Sequence, residues 1–314
     1  ALQQAQSSVS EQVEQAHKVI AQLREIEKRI PGPLQPKLND FNWDEYAFDH
    51  NYLPRNLVIG FEVINYDFGS VGEYEFYVPK EVPFYGADNS YFISQSEESV
   101  DLINTIVFRL AVMLPYSSQF TLLDPIKMGQ SFPYTKRLPA KRMVDNDVSR
   151  VLEDILTDIV RIQNSYLDNN IQRLVDVDED ILGNAKFELI VAKDFPQAYD
   201  RRSIELLAKI ASTGPKVGKI LLLDLDNEAE LPNGLNLSTL FPSLRNIYAN
   251  KNQNIWNLGK GYRDSEPTSE TINSILEGLS RAKPKETRLG FSDVIETNPE
   301  LWWQESATEV ISAP

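Results

Sequence analysis

The sequence predicts an α/β protein built on a mainly parallel sheet, and three observations carry that prediction. First, four short apolar runs have the make-up of strands buried on both faces: Tyr91-Phe92-Ile93, Phe120-Thr121-Leu122-Leu123, Phe187-Glu188-Leu189-Ile190-Val191-Ala192 and Ile220-Leu221-Leu222-Leu223. Second, helical patterns separate them, at Val100 to Leu114, at 145 to 167 and at 201 to 212. Third, polar loops follow the runs, so strand, loop and helix alternate as in a sheet covered on both sides. Ligands of such sheets bind beyond the carboxyl ends of the strands, which places any site in the loops after Ile93, Leu123, Ala192 and Leu223.

The elements justify themselves in order. Over residues 8 to 30, Val9, Val13, Ala16, Ile20, Leu23 and Ile30 recur at steps of three and four, until Pro31-Gly32-Pro33 stops the pattern. The stripe is narrow, as in a coiled-coil seam, and the same helix also suits docking on its own domain. Residues 34 to 88 mix aromatic and β-branched residues with turn formers, as in Leu57-Val58-Ile59-Gly60-Phe61 and Tyr74-Glu75-Phe76-Tyr77-Val78, and predict a small β segment. The helix at 145 to 167 sets Val148, Val151, Leu152, Ile155, Ile159, Ile162 and Tyr166 on one face. The chain therefore divides into a helix at 1–33, a β segment at 34–88, an α/β domain at 89–260, and a helix with linker at 261–314.

Composition narrows the chemistry. The 314 residues include no Cys and two His, which excludes disulfides, thiolate metal sites and cysteine nucleophiles and leaves little for a His-built centre. No metal or cofactor is expected. With 46 acidic against 31 basic side chains the net charge is −15, so the bulk surface repels nucleic acid. The run from Val100 to Leu114 is interrupted by Asp101, Asn104, Thr105 and Arg109 and is shorter than the roughly 20 residues a bilayer requires. The amino terminus lacks the basic start and apolar core of a signal peptide, and no membrane contact is expected. We read a cytoplasmic protein, with further chain upstream because no Met begins it.

The first strand-loop-helix unit has the layout of a phosphate-binding P-loop without its chemistry. Against that pattern Gln95-Ser96-Glu97-Glu98-Ser99 puts Glu97 at the last Gly, Glu98 at the phosphate-binding Lys and Ser99 at the magnesium-binding hydroxyl. Glu98 would oppose a polyphosphate, at about 4 kcal/mol for a close like-charge pair at an effective dielectric near 20. No glycine stands between Gly86 and Gly129. After the third strand, where an ATPase carries paired carboxylates for magnesium and water, the sequence reads Lys193-Asp194-Phe195-Pro196. Lys193 replaces the metal-binding acid and Asp194 alone remains. Both reversals together predict a degenerate site in which Glu98 and Lys193 pair.

This order of elements resembles the RecA-like motor domain of the FtsK/SpoIIIE DNA translocases, in the HerA-FtsK superfamily. The resemblance rests on Tyr91 to Leu114, Phe120-Thr-Leu-Leu-Asp-Pro-Ile-Lys127, the helix at 145 to 167, Phe187 to Pro196, and Leu206 to Gly218. Asp124-Pro125-Ile126-Lys127 is similar to the family's Asp-Pro-Lys element, and Gly214-Pro-Lys-Val-Gly218 to its Gly-Arg-Ala-x-Gly segment, with Pro215 in place of the Arg. The tail, Arg288-Leu-Gly-Phe-Ser-Asp-Val-Ile with Trp302-Trp303, is similar to the segment that leads into a second motor in multi-domain members. Trp302 and Trp303 also suit a patch closing this domain's own core. The resemblance implies a RecA-like P-loop fold, ring assembly with copies of itself, and an active motor domain downstream in the same polypeptide.

Two further features stand out. Between Pro125 and Val144, Lys127, Lys136, Arg137, Lys141 and Arg142 give a local +5 with no acid, which fits a DNA or partner contact and fits better a solvated loop balancing the acidic helix after it. From Asp145 to Asp200 the balance is −8. His17, His50 and the acidic turn Asp176-Val-Asp-Glu-Asp180 lack the spacing of metal ligands. The reading is a catalytically inactive FtsK/SpoIIIE-like module with a structural, assembly or regulatory role. Its rivals are a DNA-binding or peptide-binding module of a translocase or secretion ATPase, and a working ATP-binding translocase domain.

Overall fold

The computed structural model describes residues 2–53, 55–85, 88–96, 99–138, 140–178, 182, 185–232, 234–247 and 262–282. Six strands form one sheet in the order β5-β4-β6-β7-β3-β8. They are β3 (Ser90–Ser94), β4 (Ser118–Leu123), β5 (Lys141–Val144), β6 (Phe187–Phe195), β7 (Lys219–Leu225) and β8 (Leu244–Asn246). Every pairing among them is parallel. All nine residues of β6 and all seven of β7 are buried, so both faces of the central strands are covered, as their continuous apolar runs require.

Helices α2 (Ser99–Met113), α3 (Val148–Tyr166) and α4 (Arg201–Thr213) follow β3, β5 and β6. The short α5 (Leu237–Leu240) precedes β8. Helix α6 (Ser269–Arg281) packs on α2, and α3 packs on α4. The amphipathic period of α3 buries Leu152, Ile155, Ile159 and Ile162, each contributing about 1.5–3 kcal/mol. Capping residues start α4 and α6: Asp200 accepts from the Ser203 N–H at 2.8 Å, and Thr268 from the Thr271 N–H at 3.2 Å.

The β segment is a long antiparallel hairpin, β1 (Asn56–Asp67) and β2 (Glu73–Pro83), joined on its β1 edge by β9 (Tyr262–Arg263). Its base is core, with Leu57, Val58 and Ile59 fully buried, while the last four residues of β1 are exposed. The strands begin only at Asn56. Before them, residues 32–53 wind through two short helical turns around a buried Trp43, whose indole N–H donates to the Leu38 carbonyl at 2.7 Å. Helix α1 (Leu2–Arg29) lies against the hairpin, where the Tyr74 hydroxyl donates to Glu27 at 2.5 Å. Of its apolar stripe Ala16 is buried and Val13, Ile20 and Leu23 are half-buried, while Val9 is exposed. No helix among the described residues is long and apolar enough to cross a membrane.

A buried ion pair ties these parts together. The guanidinium of Arg109, on α2, donates to Asp264, to the Gln35 carbonyl and, at 2.9 Å, to the Pro36 carbonyl. Asp264 also accepts from the Leu38 N–H at 3.0 Å. Neither side chain is exposed, and burial pushes the Asp264 carboxyl above its usual range against the pull of Arg109.

Candidate functional site

The carboxyl edge of the sheet gathers the chemistry. Two strands run further than the sequence suggests: β6 continues to Phe195, so Lys193 and Asp194 belong to a strand and not to the loop after it, and β7 carries Asp224. The ladder between them slips between Ala192 and Phe195, where Ala192 faces Leu223 and Phe195 faces Leu225. Asp194 takes up the slack in left-handed backbone, φ 51°. On the other side of β7, Asp224 stands opposite Ile93 of β3.

That geometry closes a charge cluster. The Lys193 ammonium bonds the Asp224 carboxylate and lies 3.6 Å from Asp194. Asp224 also accepts from the Asp194 backbone N–H at 3.4 Å, and the Gln95 side-chain amide donates to Asp194. Lys193, Asp194 and Asp224 are 2%, 6% and 0% exposed, so three charges share a space closed to water and are held by one another. Asp194 Oδ2 and Asp224 Oδ1 are buried with no hydrogen-bond partner among the described residues. Tyr199 roofs the cluster, its hydroxyl donating to the Lys193 carbonyl at 3.0 Å. Burial, then the charges of Asp124, Asp194 and Asp224, hold that phenol well above its usual pKa. Asp124, at the end of β4, is fully buried and accepts from the Lys127 and Ser131 backbone N–H groups at 3.3 and 3.0 Å.

Of the residues aligned with a P-loop, the structure places three. The Gln95 N–H extends the sheet by donating to the Leu225 carbonyl at 2.7 Å. Ser99, buried at the start of α2, turns its hydroxyl back on its own loop, donating to the Ser96 carbonyl at 2.9 Å and accepting from the Ser96 N–H at 3.3 Å. Glu97 and Glu98 lie outside the described residues, as do Arg288, Trp302 and Trp303. The expected partner of Lys193 was Glu98, yet its ammonium is bonded to Asp224, an acid that sequence reasoning missed. The signal was available: a lone Asp inside Leu221-Leu222-Leu223-Asp224-Leu225 has to find a cation once that strand is buried.

The basic stretch is only partly a loop. Lys141 and Arg142 belong to the edge strand β5 beside β4, which buries Val144 and half-buries Met143. Lys127, Lys136, Arg137 and Lys141 are exposed and Arg142 is half-buried. Arg137 donates to Asn273 of α6 at 2.6 Å. His50 pairs with neighbouring Asp49 at 2.6 Å, and Asp176 pairs with Arg55 at 2.6 Å. Among the described residues no group of three or more His, Asp or Glu side chains is arranged to hold a metal.

No protein-family model matches the sequence, and no curated protein matches it. Solved structures do match the fold. The cytoplasmic domain of the Thermomonospora curvata type VII secretion ATPase EccC superposes with a TM-score of 0.57 at 16% identity, over 79% of this chain and 35% of that one. EssC (ATPases 2 and 3) from Geobacillus thermodenitrificans gives 0.51 at 12% identity, over 85% and 57%. Thermomonospora curvata EccC (ATPases 2 and 3), in complex with a signal sequence peptide, gives 0.51 at 14% identity, over 74% and 49%. The chain thus has the α/β, RecA-like fold of these ATPase domains, and it spans less than two thirds of each of these structures.

Proposed function

We propose that this chain is a catalytically silent P-loop module that serves a structural, assembly or regulatory role within an ATP-driven translocase. One observation carries the reading: Lys193, which we align with the magnesium-binding acid of such ATPases, is buried with its ammonium bonded to Asp224. The carboxylates that remain nearby, Asp194 and Asp124, add negative charge where a nucleotide would bring more, and a close like-charge pair costs about 4 kcal/mol at an effective dielectric near 20. The closed hydroxyl of Ser99 supports the same reading.

The proposal includes a cytoplasmic location, self-association, with α1 as a coiled-coil arm, and an ATP-hydrolysing domain working beside this one. The similar structures support the last part, since two of them contain ATPases 2 and 3 together. Isothermal titration with ATP and magnesium tests the central claim. No saturable heat is expected at millimolar nucleotide, whereas micromolar binding overturns it.

A further inference from the structure

We propose that the loop between β4 and β5 is a docking surface for an acidic, apolar segment of a partner protein. This goes beyond the nucleotide reading and stands apart from it, because the residues concerned face solvent and not the Lys193 cluster.

The loop is a built surface. Phe132 and Leu138 anchor it in the core at 1% exposure each, and the buried Asp124 carboxylate holds its first turn through the Lys127 and Ser131 N–H groups. Between these anchors the backbone is forced left-handed twice in succession, at Met128 (φ 51°) and Gly129 (φ 81°). A glycine suits position 129, where a φ of 81° strains any residue with a Cβ. Met128 has no such excuse: it accepts the strain and leaves its side chain 74% exposed. Ile126 and Tyr134 are also out in water, at 44% and 37%. Backbone strain that earns no packing within the fold points to use by a partner.

The chemistry of the occupant follows from what surrounds these side chains. Lys127 lies between Ile126 and Met128, Lys136 and Arg137 follow Tyr134, and no acid interrupts the stretch. At physiological salt, screening over about 8 Å leaves this local charge uncancelled by distant acids. Cations alone would suit DNA equally. Two aliphatic side chains among them gain nothing from a sugar-phosphate backbone, and Tyr134 alone makes a poor stacking platform, whereas Met, Tyr and Arg are enriched at protein interfaces. Carboxylates between apolar side chains complement the loop on both counts.

The test uses the full chain and a short fluorescein-labelled peptide with Leu and Glu at helical spacing, read by anisotropy. Saturable binding is expected, weakened roughly tenfold or more by Met128→Ser and by replacing the peptide leucines with serine, which corresponds to losing one good apolar contact. Circular dichroism monitors the fold, and Ile126→Ser, at a position without backbone strain, serves as the second variant. Lys127→Glu with Lys136→Glu is expected to weaken binding most at low salt. Absence of binding, or equal binding of the serine peptide, overturns the proposal. So does duplex DNA that binds, responds to the Lys→Glu pair and ignores Met128→Ser. A dimer in light scattering that Met128→Ser abolishes overturns it in favour of a second copy of this chain.

Discussion

Lys193 and Asp224 project from neighbouring parallel strands and bond to each other at the carboxyl edge of the sheet, both closed to water. The regular β6–β7 register, in which Ala192 faces Leu223, carries on to set Lys193 beside Asp224, and the ladder slips only beyond them, before Phe195. A buried pair of this kind adds little over apolar replacements, but either member alone is costly.

Lys193→Met should therefore lower stability by about 3–5 kcal/mol, by stranding Asp224 and Asp194 without their cation. The double variant Lys193→Met, Asp224→Leu should recover most of that loss. Urea denaturation of the single and double variants checks both, and a single variant as stable as the parent would refute the pair's burial.

Asp264→Ala removes the acceptor shared by Arg109 and the Leu38 N–H and leaves a guanidinium buried without its counter-charge. A loss of about 3–5 kcal/mol is expected. Hydrogen exchange should report it first at the Leu38 amide, whose acceptor is gone.

Asp200 caps α4, and the Ser203 hydroxyl and then the Ser203 N–H hold its carboxyl below the usual range. A depressed folded pKa stabilises above the unfolded value and is lost as pH falls through the folded one. Asp200→Ala should thus cost about 1 kcal/mol at pH 7, and the gap between variant and parent should close as pH falls below about 4. Thermal unfolding across that range is the measurement.

Gly278 sits inside α6, where helix propensity alone predicts that Ala stabilises by about 1 kcal/mol. A methyl at this position would strike the ring of the buried Phe48. We expect the clash to win: Gly278→Ala should lower the Tm, and Gly278→Ala with Phe48→Leu should regain part of it. A raised Tm in the single variant would show that α6 does not press on Phe48.

The sequence was most readable where burial is uniform. β4, β6, β7, α3 and α4 announce themselves because residues covered on both faces, or along one stripe, leave a period that survives without partners. Strands β5, β8 and β9 have two to four residues each, too few to show any period, and are set by neighbours distant in the chain. The site divides in the same way. The lysine at position 193 is a fact of composition and was visible. Its engagement by Asp224 depends on the register between two strands that no local pattern encodes, and the roof by Tyr199 depends on how the chain returns after β6.

Arg109 leaves the ribosome 155 residues ahead of Asp264. At roughly 5–20 residues per second the interval is on the order of ten seconds, during which the helix that bears Arg109 cannot reach its final burial without enclosing a bare charge. The nascent sheet must wait, half-sealed, for a carboxylate that is synthesised 155 residues later.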